Sequence, residues 1–152
     1  MTSLSSRLAA WTPYAQAALR IVSAYLFLLH GSAKVLHLPY QEHFAQLPLF
    51  SLIGLSGVLE LFGGLLLLLG LATRPVAFVL CGEMAFAYFM GHAARGNPLL
   101  PLLNQGEAAV LYCFIFLFLI FAGPGAFSMD GALTGRGAAS RRPRAGSARS
   151  AA

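Results

Sequence analysis

The residue that costs this chain most is Glu60, which stands midway along the apolar run 49–71, roughly 16 Å from either end at helical rise. A charge at bilayer depth costs about 2.5 to 3.5 kcal/mol on insertion scales, so a chain that keeps one has a use for it. Glu60 does not stand alone. Arg20, His30 and Lys34 interrupt the first apolar run, Glu83, Tyr88 and His92 the third, and Glu107 opens the fourth. Carboxyls sheltered from water can carry a proton or face a ligand, and imidazoles can hydrogen-bond a polar head group. Ser56, Glu60 and Gly64 recur every four residues beside Gly63, which makes one narrow face of that helix small and polar, turned toward a neighbouring helix. The structural alternative is that these charges neutralise one another. Arg20 and Lys34 also lie near opposite edges, where long side chains can snorkel to water.

The elements that would position these residues are four apolar runs: 17–36, 49–71, 75–93 and 105–122. Each approaches the ~20 residues needed to cross a hydrocarbon core of about 30 Å. Pro48, Thr73-Arg74-Pro75, Gly96-Asn97-Pro98, Pro101 and Gly123-Pro124-Gly125 punctuate them. With 58% hydrophobic and 10% charged residues among 152, the composition excludes a soluble domain or a large two-domain enzyme. The expected fold is all-α, an integral membrane four-helix up-and-down bundle, with a short interfacial helix in 37–48 between the first two spans. Residues 1–16 form a preceding segment, 17–131 the transmembrane domain, and 132–152 a disordered arginine-rich tail.

The net charge of +5 belongs to that tail, where Arg136, Arg141, Arg142, Arg144 and Arg149 lie, so nucleic acid is not an expected partner. Cations retained on the cytoplasmic side place Arg7, Arg20, Arg74 and the tail on one face and Lys34 and Arg95 on the other. Both termini are then cytoplasmic in a multi-pass inner-membrane protein. A cleaved leader ending near Gly31-Ser32-Ala33 would leave three spans and is set aside. In the bundle the first helix should neighbour the second and fourth, pairing Lys34 with Glu107 and turning Arg20 toward Glu83 or Glu60. Cys81 and Cys113 sit in separate apolar runs without metal-ligand spacing, so no metal site or disulfide framework is indicated. A haem held by His30 and His92 is disfavoured by their different depths.

In order, Arg20, His30-Gly31 and Lys34, then Glu60, Gly63-Gly64, Gly70 and Thr73-Arg74, then Met84 and His92, then Gly106-Glu107 and Tyr112, then Gly123-Pro124-Gly125, Ser128 and Asp130, resemble the DoxX family of small four-helix membrane proteins. The resemblance spans residues 17–131. It implies a bacterial inner-membrane protein tied to redox physiology, since members of the family include subunits associated with thiosulfate:quinone oxidoreduction and components of oxidative-stress complexes. Met129 stands where the family usually has Leu, and Glu83 is not a family hallmark.

Two functional classes follow. In the first, the protein is an accessory or quinone-interacting subunit of a membrane redox system, with His30, Lys34, His92 and Glu107 toward the outer side and Glu60 and Glu83 as deeper proton carriers. Arg20, Ser56, Gly63, Gly64 and Tyr88 support them. No flavin, nicotinamide, iron–sulfur or c-haem motif is present, so no intrinsic cofactor and no stand-alone activity is expected, and a redox partner protein would supply electrons. In the second, the protein is a scaffold or a small transporter; the absence of an inverted repeat favours transport only in a homo-oligomer. Deleting everything after Thr134 is expected to leave folding and activity intact, and failure of the truncated protein to insert would contradict this.

Overall fold

The computed structural model describes residues 4–140, with side chains through 135, and within them every regular element is a helix. The first helix, α1 (Leu4–Val35), is followed by a loop with one 3-10 turn at Glu42–Phe44, then by α2 (Leu52–Leu69) and α3 (Thr73–Phe86). A π-helical stretch (Ala87–His92) and a 3-10 turn (Ala93–Arg95) prolong α3. The short α4 (Pro101–Asn104) leads into α5 (Glu107–Ala122), and α6 (Met129–Ser140) ends the described chain. Two helices, Leu52–Leu69 and Thr73–Arg95, are long and apolar enough to cross a membrane, and α5 is a shorter apolar helix.

Several boundaries differ from the expectations above. The first helix is already formed at Leu4 and passes through Pro13 without ending, so residues 4–16 are continuous with the helix over 17–35. The interfacial helix in 37–48 reduces to a single 3-10 turn. The part of the tail that is described continues α6 to Ser140; 141–152, with four of the five tail arginines, lie outside the described residues.

Register is read from the points of closest approach. Gly31 of α1 lies against Leu61 of α2, where an added Cβ would meet the Leu61 Cα at 2.7 Å. Gly57 faces Lys34, and Gly64 faces Leu28 and Ala24. As the α1 number falls the α2 number rises, so the pair is antiparallel, and small residues let the two backbones nearly touch. Gly63 points the other way, onto Leu80 of α3. The second pair, α3 with α5, is antiparallel by the same reasoning: Arg74 meets Ile120, Cys81 meets Cys113, and Gly106 sits under the Tyr88 ring. The first helix neighbours both α2 and α5, as expected, but its backbone lies much closer to α2. Phe27, Leu67, Leu80, Met84, Phe116 and Leu119 fill the core between the pairs.

The end carrying the α2–α3 turn and residues 123–130 is here called proximal, and the end carrying the 36–51 and 93–106 loops distal. The proximal end is a closed knot of helix-terminal groups. Gly70 terminates α2 at φ +64°, a left-handed conformation that glycine adopts without strain. Arg20, fully buried, spends all five of its N–H donors there: on Leu67 (2.6 Å) and Leu68 (2.9 Å) at the end of α2, and on Pro124 (2.8 Å), Ala126 (3.2 Å) and Phe127 (2.9 Å). It binds carbonyls at the negative end of a helix, where Glu83 or Glu60 was expected. Arg74 closes the C-terminus of α5 through Ile120 (2.7 Å) and Phe121 (2.9 Å). Gln16 donates to Gly123 (2.6 Å).

Ala72 cannot cap α3 with its own side chain, and Asp130 does so from a distance, accepting from the Ala72 and Thr73 amides at 2.8 Å each. Partial burial pushes the Asp130 carboxyl up, but the bonds from Thr73 and Ala72 and the nearby Arg20 outweigh it and hold the group below its ordinary value. A carboxyl depressed by folding stabilises the fold above its unfolded value and loses that contribution as pH falls through its folded value. Asp130→Ala should therefore lower stability at neutral pH by about 1 to 2 kcal/mol. In thermal unfolding of detergent-solubilised protein, the gap between wild type and variant should close as the pH is lowered through the carboxylate range; a gap independent of pH would refute the cap.

Candidate functional site

The glycine contacts between α1 and α2 bring Lys34 and Glu60 together. Side chains on a helix lean toward its N-terminus. In an antiparallel pair, Lys34 therefore leans from the distal end toward the middle of the bundle, and Glu60 leans up to meet it. The Lys34 Nζ donates to Glu60 Oε1 at 2.6 Å and to Ser56 Oγ at 3.1 Å. The side chains are 13% and 4% exposed. Lys34 thus turns inward instead of snorkelling, and its partner is Glu60 instead of Glu107. This is the one ion pair among the described residues.

Glu83 reaches the same region from α3. It lies within electrostatic reach of both Glu60 and Lys34. Its two carboxyl oxygens and Glu60 Oε2 are buried with no hydrogen-bond partner. Two carboxyls therefore share the neighbourhood of a single ammonium. With one proton between them the group is neutral, and without it the group carries one net negative charge, which makes it a place where a proton can be held or released.

His30, one turn before Lys34 on α1, feels the Lys34 charge and sets its ring edge-on to Tyr112 of α5, with centroids 6.2 Å apart. It lines a crevice of about 280 Å³ under the distal loop, together with Gln41 and His43. Tyr112 also feels Glu60. On its other side it lines an apolar groove of about 320 Å³ where α1 and α5 pack loosely, between Leu19, Val22, Leu26, Leu111 and Ile115. No described residue hydrogen-bonds the Tyr112 hydroxyl.

The remaining expected site residues do not join this cluster. Tyr88 and His92 build a clasp at the distal end around Asn104. The Tyr88 hydroxyl donates to the Pro98 carbonyl (2.8 Å) and accepts from Asn104 Nδ2 (3.3 Å), which also donates to Asn97 (3.0 Å). Asn104 Oδ1 accepts from the Gly106 amide (2.9 Å). His92 Nδ1 lies 3.1 Å from the Asn104 carbonyl and, since a carbonyl only accepts, carries the proton there. Glu107 is exposed in the first turn of α5, where a negative charge suits the helix end. Of the supporting residues, Ser56 shares the ion pair and Gly64 lets α1 approach, while Gly63 seats Leu80 and Arg20 belongs to the proximal knot.

Comparison with known proteins agrees with the ordered motifs from Arg20 to His92. The DoxX family model matches residues 15–93, which include α2 and the Lys34–Glu60 pair. The chain belongs to the DoxX family. DoxX proteins are membrane-associated, and the two long apolar helices agree with that. The chain is also 45% identical over 122 residues to an uncharacterised protein of Haemophilus influenzae, a match covering 79% of this chain and 91% of that protein. No solved structure matches it.

Neither the Tyr112 contact with His30 nor the Asn104 clasp is among the expectations from the sequence. The spacing Asn104-Gln105-Gly106 is the available signal for the latter, because an Asn side chain commonly bonds a backbone amide two residues on. Breaking a buried pair by removing one partner costs about 3 to 5 kcal/mol, whereas removing both charges costs far less. Lys34→Met should therefore destabilise this DoxX protein by about 3 kcal/mol, and Lys34→Met with Glu60→Gln should recover most of the loss. Additive losses in thermal unfolding would show that the two side chains do not interact.

Proposed function

We propose that this DoxX protein is a quinone-interacting accessory subunit of a membrane redox or oxidative-stress system. Its four long helices all cross the bacterial inner membrane and both termini are cytoplasmic. The proximal end, with Arg7, Arg20 and Arg74, is the cytoplasmic one by the bias of retained cations. The distal crevice then opens outside.

The observation that carries the reading is the set of three buried, unpartnered carboxyl oxygens, one on the Glu60 that pairs with Lys34 and two on Glu83, in a chain whose His30 packs edge-on to Tyr112. A quinone needs a hydrogen-bonding group for each carbonyl, an apolar slot for its isoprenoid tail and a proton source nearby. The His30 imidazole and the unpartnered Tyr112 hydroxyl meet the first need, and the groove between α1 and α5 meets the second. Glu60 and Glu83 meet the third. When bound, the quinone supplies two-electron chemistry that none of these side chains provides. The chain's own part is to orient the head group, keep the tail in an apolar groove and hold a proton at Glu60 or Glu83. Lys34 keeps that proton exchangeable by limiting the charge left when it departs.

Titrating the purified protein with a short-tailed quinone analogue tests this. Saturable binding and a raised melting temperature are expected, with both weakened at least about tenfold, some 1.4 kcal/mol, by Tyr112→Phe combined with His30→Ala. Unchanged melting with quinone, together with a Glu60→Gln strain that tolerates quinone stress normally, would sink the reading and leave a scaffold role.

A further inference from the structure

The two cysteines of this chain lie on different helices, yet their sulfurs are 3.7 Å apart. Cys81 of α3 and Cys113 of α5 are both free thiols, and the Cys113 thiol lies 3.6 Å from the Cys81 carbonyl. The contact is central in the α3–α5 interface. At helical rise each sulfur stands about 12 to 14 Å from the proximal end of its helix. Both side chains are half-buried, so a molecule dissolved in the surrounding apolar phase can reach them.

We infer that Cys81 and Cys113 form a dithiol redox site within the membrane, oxidised to a disulfide by a lipid-soluble quinone. Thiols normally take their redox state from the water-soluble glutathione and thioredoxin pools of their compartment. At bilayer depth these charged and bulky reductants are excluded, and the oxidant must be one that dissolves in lipid. The step balances without any further reagent: the two S–H bonds break, one S–S bond forms, and two electrons and two protons reduce one quinone to one quinol. The product ties α3 to α5 at mid-height, on helices already joined by Arg74 at the proximal end and by the Asn104 clasp at the distal end. The inference rests on the quinone reading for its oxidant, though not for the sulfur contact.

The test uses full-length protein in lipid vesicles, treated with a short-tailed quinone or with external oxidised glutathione. After quinone, unfolded protein should no longer react with a maleimide at either cysteine, its intact mass should fall by two hydrogens, and one quinol should appear per chain. Oxidised glutathione should do none of this. Cys81→Ser and Cys113→Ser should each abolish quinol formation, and the wild-type mass measurement decides the matter even if a variant misfolds. Thiols that stay reactive, or a mass gain from quinone addition to a single sulfur, would overturn the dithiol site. Saturable quinone binding without linkage sinks the dithiol and spares the binding reading; linkage without saturable binding supports the dithiol and removes the binding site.

Discussion

The close approach of α1 and α2 is the constraint on which the rest of the molecule depends. Gly31, Gly57 and Gly64 remove the side chains that would hold the two backbones apart. Only at that spacing does a lysine from one helix reach a carboxylate on the other without leaving the apolar interior. The antiparallel run of the helices completes the geometry, because each side chain leans toward its own N-terminus and the two lean toward one another. An ion pair of this kind does not hold the fold together by its own net energy, since desolvation offsets most of the attraction. Its significance is that it makes a buried carboxylate tolerable.

What the pair leaves over is chemically more telling than the pair itself. Lys34 satisfies one oxygen of Glu60, while the other oxygen and both oxygens of Glu83 have no partner. A purely structural network would saturate such groups, because an unsatisfied buried polar atom costs about 1 to 3 kcal/mol. The proximal knot shows that this chain can saturate them. There Arg20 uses every donor, Arg74 closes α5 and Asp130 caps α3. At the proximal end the Thr73 hydroxyl is the buried polar atom left without a partner among the described residues, while Glu60 and Glu83 leave three carboxyl oxygens unpartnered.

Much of this was legible in the residues. Glu60 announced itself by its depth in an apolar run, and its small neighbours announced a packed face. The ordered motifs marked the family. The expected partners were less legible. Lys34 and Glu107 sit at similar heights on paper, but the backbone of α1 comes close to α2 and meets α5 mainly through aromatic rings, so height was the wrong criterion. Arg20 was matched with acids because charges are visible in a sequence, whereas the carbonyl groups that bind it belong to every residue and are invisible there. Asp130, far along the chain from Thr73, acts through backbone amides for the same reason. The α6 helix escaped notice because its small and polar residues show no periodic apolar face.

By itself, then, the amino-acid order determined which segments are helical and apolar and which ionisable groups they must bury, since hydropathy and helical spacing are local properties of the chain. Which buried groups meet was decided only by the tertiary structure. A hydrogen bond needs its atoms within about 3 Å, and that distance depends on helix register and on which glycines permit contact. The same selection gathered Lys34, Glu60 and Glu83 with His30 and Tyr112, sent Tyr88 and His92 to a separate clasp, and laid the two sulfurs side by side.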